Sequence, residues 1–167
     1  RSDFPKGRGP GPWEIPDSNI LNAEHTWPQS RFSKSQSTST QKSDLHILFP
    51  TGNRINSRRG NHRFAYVDSP TYESCEGTLI GHSSAGSGIF FEPPDEHKGN
   101  VARAIFYFSV RYKIAVTALE EETLRQWNEL DPVDMAEELR HEEVYNLQNV
   151  RNPFIDHPEL INEIENF

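Results

Sequence analysis

The clearest hydrophobic periodicity in the chain begins after Pro93. Val101, Ala102, Ile105, Phe106, Phe108, Ser109 and Tyr112 fall on one broad side of a helix, and this spacing predicts the central core helix of the fold. Pro93-Pro94-Asp95-Glu96 opens it, with proline at the entry and acids in the first turn. Asn100, Arg103, Tyr107 and Arg111 form a polar stripe on another side of the same helix. Leu119, Thr123, Leu124, Trp127 and Leu130 predict a second amphipathic helix, in which Trp127 reads as a core anchor. Asp131-Pro132 starts a third, running to about Asn149.

Upstream the pattern shortens. Residues 78–80 and 89–91 are brief apolar pieces suited to pairing as strands. Residues 44–61, DLHILFPTGNRINSRRGN, run from a short apolar strand into a polar segment. A helix is expected to begin there near Thr51, whose hydroxyl suits an N-cap. On it Asn53, Asn56 and Gly60 share a face and Ile55 turns to the core. Residues 4–13, FPKGRGPGPW, read as an extended arm laid over the domain, and residues 33–43, SKSQSTSTQKS, as a mobile polar loop between two strands. The expected class is α+β, in a single domain spanning 1–167: an N-terminal arm (1–18), a compact strand–loop–strand–helix unit (19–62) and a mainly helical part (93–167).

Charge refines this division. The net charge is −8 over 167 residues, which argues naively against a nucleic-acid partner. Its distribution reverses the argument. Residues 1–63 hold ten Lys/Arg against five Asp/Glu, residues 64–113 four against six, and residues 114–167 three against fourteen. Neutralising phosphates requires only a local cationic face, and the acidic helices would repel a polyanion and orient its approach. No apolar run approaches the length of a membrane span. The chain starts at Arg1, so an export signal has been removed or was never included. With one cysteine there is no intramolecular disulfide, and Cys75 reads as an idle thiol.

Chemistry concentrates in two segments. Residues 22–30 read Asn-Ala-Glu-His-Thr-Trp-Pro-Gln-Ser, placing a carboxylate beside an imidazole just before a proline. Residues 44–61 add amides and arginines. An imidazole can accept a proton from water near neutrality, and an oxygen-only ligand set suits magnesium. Zinc would call for His and Cys at short spacings, which are absent. Arg31, Arg54, Arg58 and Arg59 are candidates for backbone phosphates. Arg103 is a further one: it lies in a mostly apolar stretch, where an unpaired cation would be costly. His46 reads as a half-buried, hydrogen-bonded residue of an apolar strand. His62, His82, His97, His141 and His157 lack a carboxylate or amide context that suggests catalysis. Glu24 and His25 pose a geometric problem, because adjacent residues of a regular strand point to opposite faces.

These two blocks, together with FEPPDEHKGNVARAIFYFSVRY (91–112) and RNPFIDHPEL (151–160), resemble the endonuclease I family of ββα-metal (His-Me finger) nucleases, over residues 22–160. The resemblance implies a ββα-metal core, two strands and a helix around one metal ion, packed on the helical half. It implies His25 as general base, Glu24 and Asn56 as ligands of Mg2+ (Mn2+ or Ca2+ as substitutes), and 5′-phosphate products. It also implies a secreted or periplasmic location. The expected activity is sequence-nonspecific endonucleolytic cleavage of DNA, with RNA left open as a second substrate, by a monomer without membrane contact. The chain departs from the family in its short upstream segment, its single cysteine and Ile47, where relatives often carry His or Asn. Two alternatives remain: a catalytically silent nucleic-acid-binding domain on a nuclease scaffold, and a phosphodiesterase of small substrates.

Overall fold

The computed structural model describes residues 9–11 and 14–167. The expected arm over 4–13 lies largely outside the described residues. Strand β1 (Leu21–His25) pairs antiparallel with β2 (Leu48–Gly52), with Glu24 opposite Phe49 and His25 opposite Leu48. Between them runs a short helix α1 (Thr38–Lys42). Helix α2 (Asn53–Arg59) follows β2 directly, with Gly52 as N-cap. Thr51 is therefore a strand residue and not the expected cap. Gly60 ends the helix at φ +54°, a conformation that favours glycine.

A second sheet of four strands has the order β3-β6-β5-β4. It comprises β3 (Arg63–Phe64), β4 (Ser69–Glu73), β5 (Leu79–Ser83) and β6 (Gly86–Glu92). β5 and β6 are the expected pair, with Ile80 opposite Phe91. β3 and β4 carry little apolar alternation and were not legible.

The helical half contains α3 (Lys98–Tyr112), α4 (Ala118–Leu130) and α5 (Met135–Gln148), with two short helices, α6 (Pro153–Asp156) and α7 (Leu160–Glu163). α5 begins after Asp134, whose side chain accepts from Glu137 N, three residues later than the expected start. α3 is the centre of the core: Val101, Ile105, Phe106 and Phe108 are all buried. Trp127 of α4 is fully buried, as its spacing suggests. Gly99 permits α3 to approach the end of α4, because a Cβ there would lie 1.8 Å from the Asp131 carbonyl oxygen. Among the described residues no helix is long and apolar enough to cross a membrane.

The middle of the polar stripe of α3 is buried, at Arg103 and Tyr107, while Arg111 at its end is exposed. Tyr107 and Tyr112 both donate to Asp44 Oδ2, at 2.9 and 2.8 Å, and Arg111 donates to the Tyr107 hydroxyl at 2.7 Å. Burial, then the Asp44 carboxylate, holds the Tyr112 phenol up at about 12. The stripe thus ties the core helix to the connection entering β2. α5 holds the same connection: Arg140 Nη2 donates to the carbonyls of Leu45 and Leu48, and the Gln148 amide bridges Leu45 N and Ser43 O. His46, expected on a strand, lies on a single 3-10 turn, is fully buried and donates through Nε2 to Val150 O at 2.9 Å. Burial lowers its pKa. The loop expected to be mobile is internally sewn. Gln41, fully buried, accepts from Ser33 N at 2.8 Å and donates to three carbonyls, those of Ser33, Gln36 and Ser37.

Candidate active site

β1, the turn after it and α2 enclose an open polar cleft of about 460 Å³. Its walls include Glu24, His25, Gln29, Asn56, Arg59 and Asn61. The two motif segments, some thirty residues apart, therefore meet at one place.

His25 is the last residue of β1. Its Nε2 lies 2.9 Å from the Lys42 carbonyl oxygen. A carbonyl can only accept, so Nε2 carries the proton and Nδ1 presents a lone pair. The single neighbour found for Nδ1 among the described residues is the Gln29 amide nitrogen, at 3.4 Å. The ring also meets Phe32 edge-on at 6.0 Å, and Phe32 packs on Phe108 of α3 at 5.5 Å. The imidazole is thus oriented from two sides, with Nδ1 held only by the long contact to Gln29.

Glu24 Oε1 accepts from Arg59 Nη1 at 2.5 Å. Its other oxygen has no hydrogen-bond partner among the described residues. Desolvation raises the Glu24 pKa, and the charge of Arg59 opposes that rise. Asn56 Nδ2 donates to Asn22 Oδ1 at 2.5 Å, and Asn22 Nδ2 donates in turn to Asn53 Oδ1 at 2.9 Å. This chain of amides fixes which way Asn56 points, with its nitrogen spent and its oxygen free. Asn22 sits in the motif, but its orienting role was not anticipated; an amide two residues before Glu24, on the same strand face, was the signal available. One carboxylate oxygen and one amide oxygen are donors that suit a hard cation. Among the described residues no cluster of three or more His, Cys, Asp or Glu could hold a metal, so such an ion would draw its remaining ligands from water and substrate.

The arginines divide. Arg54 and Arg58 are exposed on α2, and the Arg58 guanidinium lies 4.2 Å from the Tyr72 ring centroid. Arg59 is 2% exposed and donates to His25 O and Thr26 O as well as to Glu24. Desolvation brings its pKa down to about 10. It is a buried brace between α2 and the end of β1. Arg31 is pulled toward Glu120 at 3.4 Å, and its Nε and Nη2 are buried without partners. The structure places Arg103 away from the cleft. It is 1% exposed, its Nε and Nη2 grip the Glu137 carboxylate, and its Nη1 donates to Asn128 Oδ1 and Asp131 O, each at 2.9 Å. Buried and engaged through all three nitrogens, it offers no accessible donor to a phosphate.

Comparison with known proteins shows the family. The family model for endonuclease I matches residues 14–159. The chain belongs to the endonuclease I family. An extracellular ribonuclease of Bacillus amyloliquefaciens is 37% identical over 163 residues, covering 86% of this chain and 53% of that protein. An extracellular ribonuclease of Bacillus subtilis (strain 168) is 36% identical with the same coverage. An extracellular deoxyribonuclease of Aeromonas hydrophila is 29% identical over 126 residues, covering 74% of this chain and 53% of that protein. The chain spans about half the length of these relatives.

Proposed function

We propose that this chain is a ββα-metal nuclease domain that hydrolyses phosphodiester bonds of DNA, and of RNA as well, within the strand and with little sequence selectivity. The observation that carries the reading is the His25 tautomer: Nε2 is spent on the Lys42 carbonyl, and Nδ1, with only a long contact to the Gln29 amide, presents its lone pair in the cleft that Glu24 and Asn56 share. His25 Nδ1 takes the proton of the attacking water. The Lys42 carbonyl holds the ring and stabilises the imidazolium that forms. The bond to the 3′ oxygen breaks, that oxygen takes a proton from solvent, and the phosphate stays on the 5′ end. Glu24 and Asn56 would hold one Mg2+, with Mn2+ or Ca2+ as substitutes, and an ion there would neutralise charge developing on the phosphoryl oxygens. Arg59 keeps Glu24 in place. The names of the relatives span ribonucleases and deoxyribonucleases, extracellular and periplasmic, and support a secreted enzyme acting on both polymers.

Nicking of supercoiled plasmid and degradation of single-stranded RNA, each with and without chelator, test the reading. Cleavage that chelator abolishes and Mg2+ restores is expected; binding without cleavage in any metal would favour a silent binding domain. The ligand set gives a separate expectation. Desolvation raises the Glu24 pKa above that of an ordinary carboxyl, so acid favours its neutral form in the folded chain and it ionises as pH rises. The ionised form in its desolvated site costs stability above the folded pKa, and a cation relieves that cost. The Mg2+-dependent rise in Tm should therefore be smallest in acid and grow with pH. At a hundredfold excess over Kd it should correspond to about 2.7 kcal/mol. Glu24→Gln and Asn56→Ala should each remove most of it; an undiminished shift in both would move the ion elsewhere.

Phosphate binding is proposed for the exposed Arg54 and Arg58, with Arg31 at the margin. Binding should weaken with salt at a log–log slope of roughly −0.9 per duplex phosphate neutralised. The double change Arg54→Gln/Arg58→Gln should flatten that slope and weaken two unrelated duplexes equally. An unchanged slope would place the binding face elsewhere.

A further inference from the structure

A second cavity, of about 320 Å³, adjoins the candidate site and shares Glu24, Asn56 and Arg59 with it. Its character is different. Phe64, Phe91 and Val101 are buried and make its floor, and Phe49 and Ile55 are half-buried along its sides. His97 stands edge-on to Phe49, 4.9 Å between ring centroids. At the mouth are two exposed carboxylates, Glu76 and Glu96.

Resting on the nuclease reading above, we infer that this cavity receives one nucleobase, that of the nucleotide next to the scissile phosphate. Four features lead to this occupant. The cavity abuts the phosphodiester site through three common residues, so a group covalently attached to a bound phosphate can enter it. Its volume lies at the lower end of the ~300–1,000 Å³ of small-molecule sites, which suits a single base and excludes a base pair. Its aromatic and aliphatic walls match the faces of a base. Its rim is anionic, which rejects phosphate and sugar-phosphate backbone but accepts N–H donors. A carboxylate takes hydrogen bonds from amino-bearing edges, and guanine presents two donors side by side. The cavity therefore favours guanine over thymine or uracil. A paired base must first leave its stack, at an energetic cost, so single strands enter more readily than duplex.

The test uses seven-nucleotide single strands in which one phosphodiester is left charged and the other links are neutral methylphosphonates, which fixes the register, with 2-aminopurine at each position in turn, mixed with the intact protein in excess chelator. 2-Aminopurine carries the amino donor and brightens on leaving its stacked neighbours. Brightening confined to one position beside the cut, and lost in Thr51→Phe, which fills the cavity, is the expected result. Glu76→Gln/Glu96→Gln, at two exposed residues, serves if Thr51→Phe fails to fold. In active conditions the preference in kcat/KM for guanine over thymine at that position should be on the order of tenfold, and the double glutamine variant should erase it. Equal brightening at every position, or a response and preference unchanged in the glutamine variant, overturns the base site. Cleavage without a position-specific signal leaves the nuclease reading standing and removes the base site. The reverse pattern, signal without cleavage, removes the nuclease reading alone.

Discussion

Replacing His25 by Ala is expected to slow phosphodiester cleavage by about 10²–10⁴-fold, the usual worth of a positioned general base. The fold and nucleic-acid affinity should stay close to native. The ring is only half-buried at the end of β1, its one firm hydrogen bond runs to the Lys42 carbonyl, and its packing is an edge contact with Phe32. Little stability therefore depends on it, and the cations proposed to bind phosphate lie on α2. Single-turnover cleavage of a labelled duplex, with circular dichroism and equilibrium binding in chelator, separates the three quantities. His25→Gln should be as slow as His25→Ala, because an amide keeps a donor but is no base. Wild-type cleavage by either variant would end the assignment of His25.

The sequence made some of this legible and left other parts hidden, for identifiable reasons. The helices that bury a continuous apolar side, α3 and α4, leave a strong periodic trace, and both stand where that trace lies. The convergence of Glu24, His25 and Asn56 followed from two short motifs, and the structure brings the three to one cleft. The geometric problem of adjacent Glu24 and His25 eases because His25 ends its strand, and Arg59 of α2 draws the Glu24 carboxylate toward the helix. Thr51 failed as a cap because the preference for a hydroxyl is local, whereas pairing with Asn22 on β1 is a tertiary contact that keeps Thr51 in the strand. The polar loop at 33–43 was misread because composition says nothing about a single amide such as Gln41 folding back on four backbone groups. The arginines were hardest. Arg54, Arg58 and Arg59 look alike in sequence, yet helical rotation turns two to solvent and buries the third.

Arg103 carries the largest expected stability effect. Its guanidinium joins three helices, because Glu137 belongs to α5, Asn128 to α4 and Arg103 itself to α3. Glu137 is 5% exposed. Arg103→Met removes the cation and leaves that carboxylate buried without its partner, together with the Asn128 amide oxygen and the Asp131 carbonyl. Breaking one side of a buried pair costs about 3–5 kcal/mol, which for a domain of this size lowers Tm by roughly 6–20 °C. Replacing both partners, Arg103→Met/Glu137→Leu, should recover much of the loss, since apolar substitutes for a buried pair are often neutral. Below the new Tm the slope of nucleic-acid affinity against salt should be unchanged in both variants, because no donor of Arg103 faces solvent. Thermal unfolding and salt-dependent binding, measured on the same samples, decide the matter. A native Tm with a flattened salt slope would return Arg103 to the phosphate-binding face; a lowered Tm, recovered in the double variant and with the slope intact, fixes it as the pin between the helices.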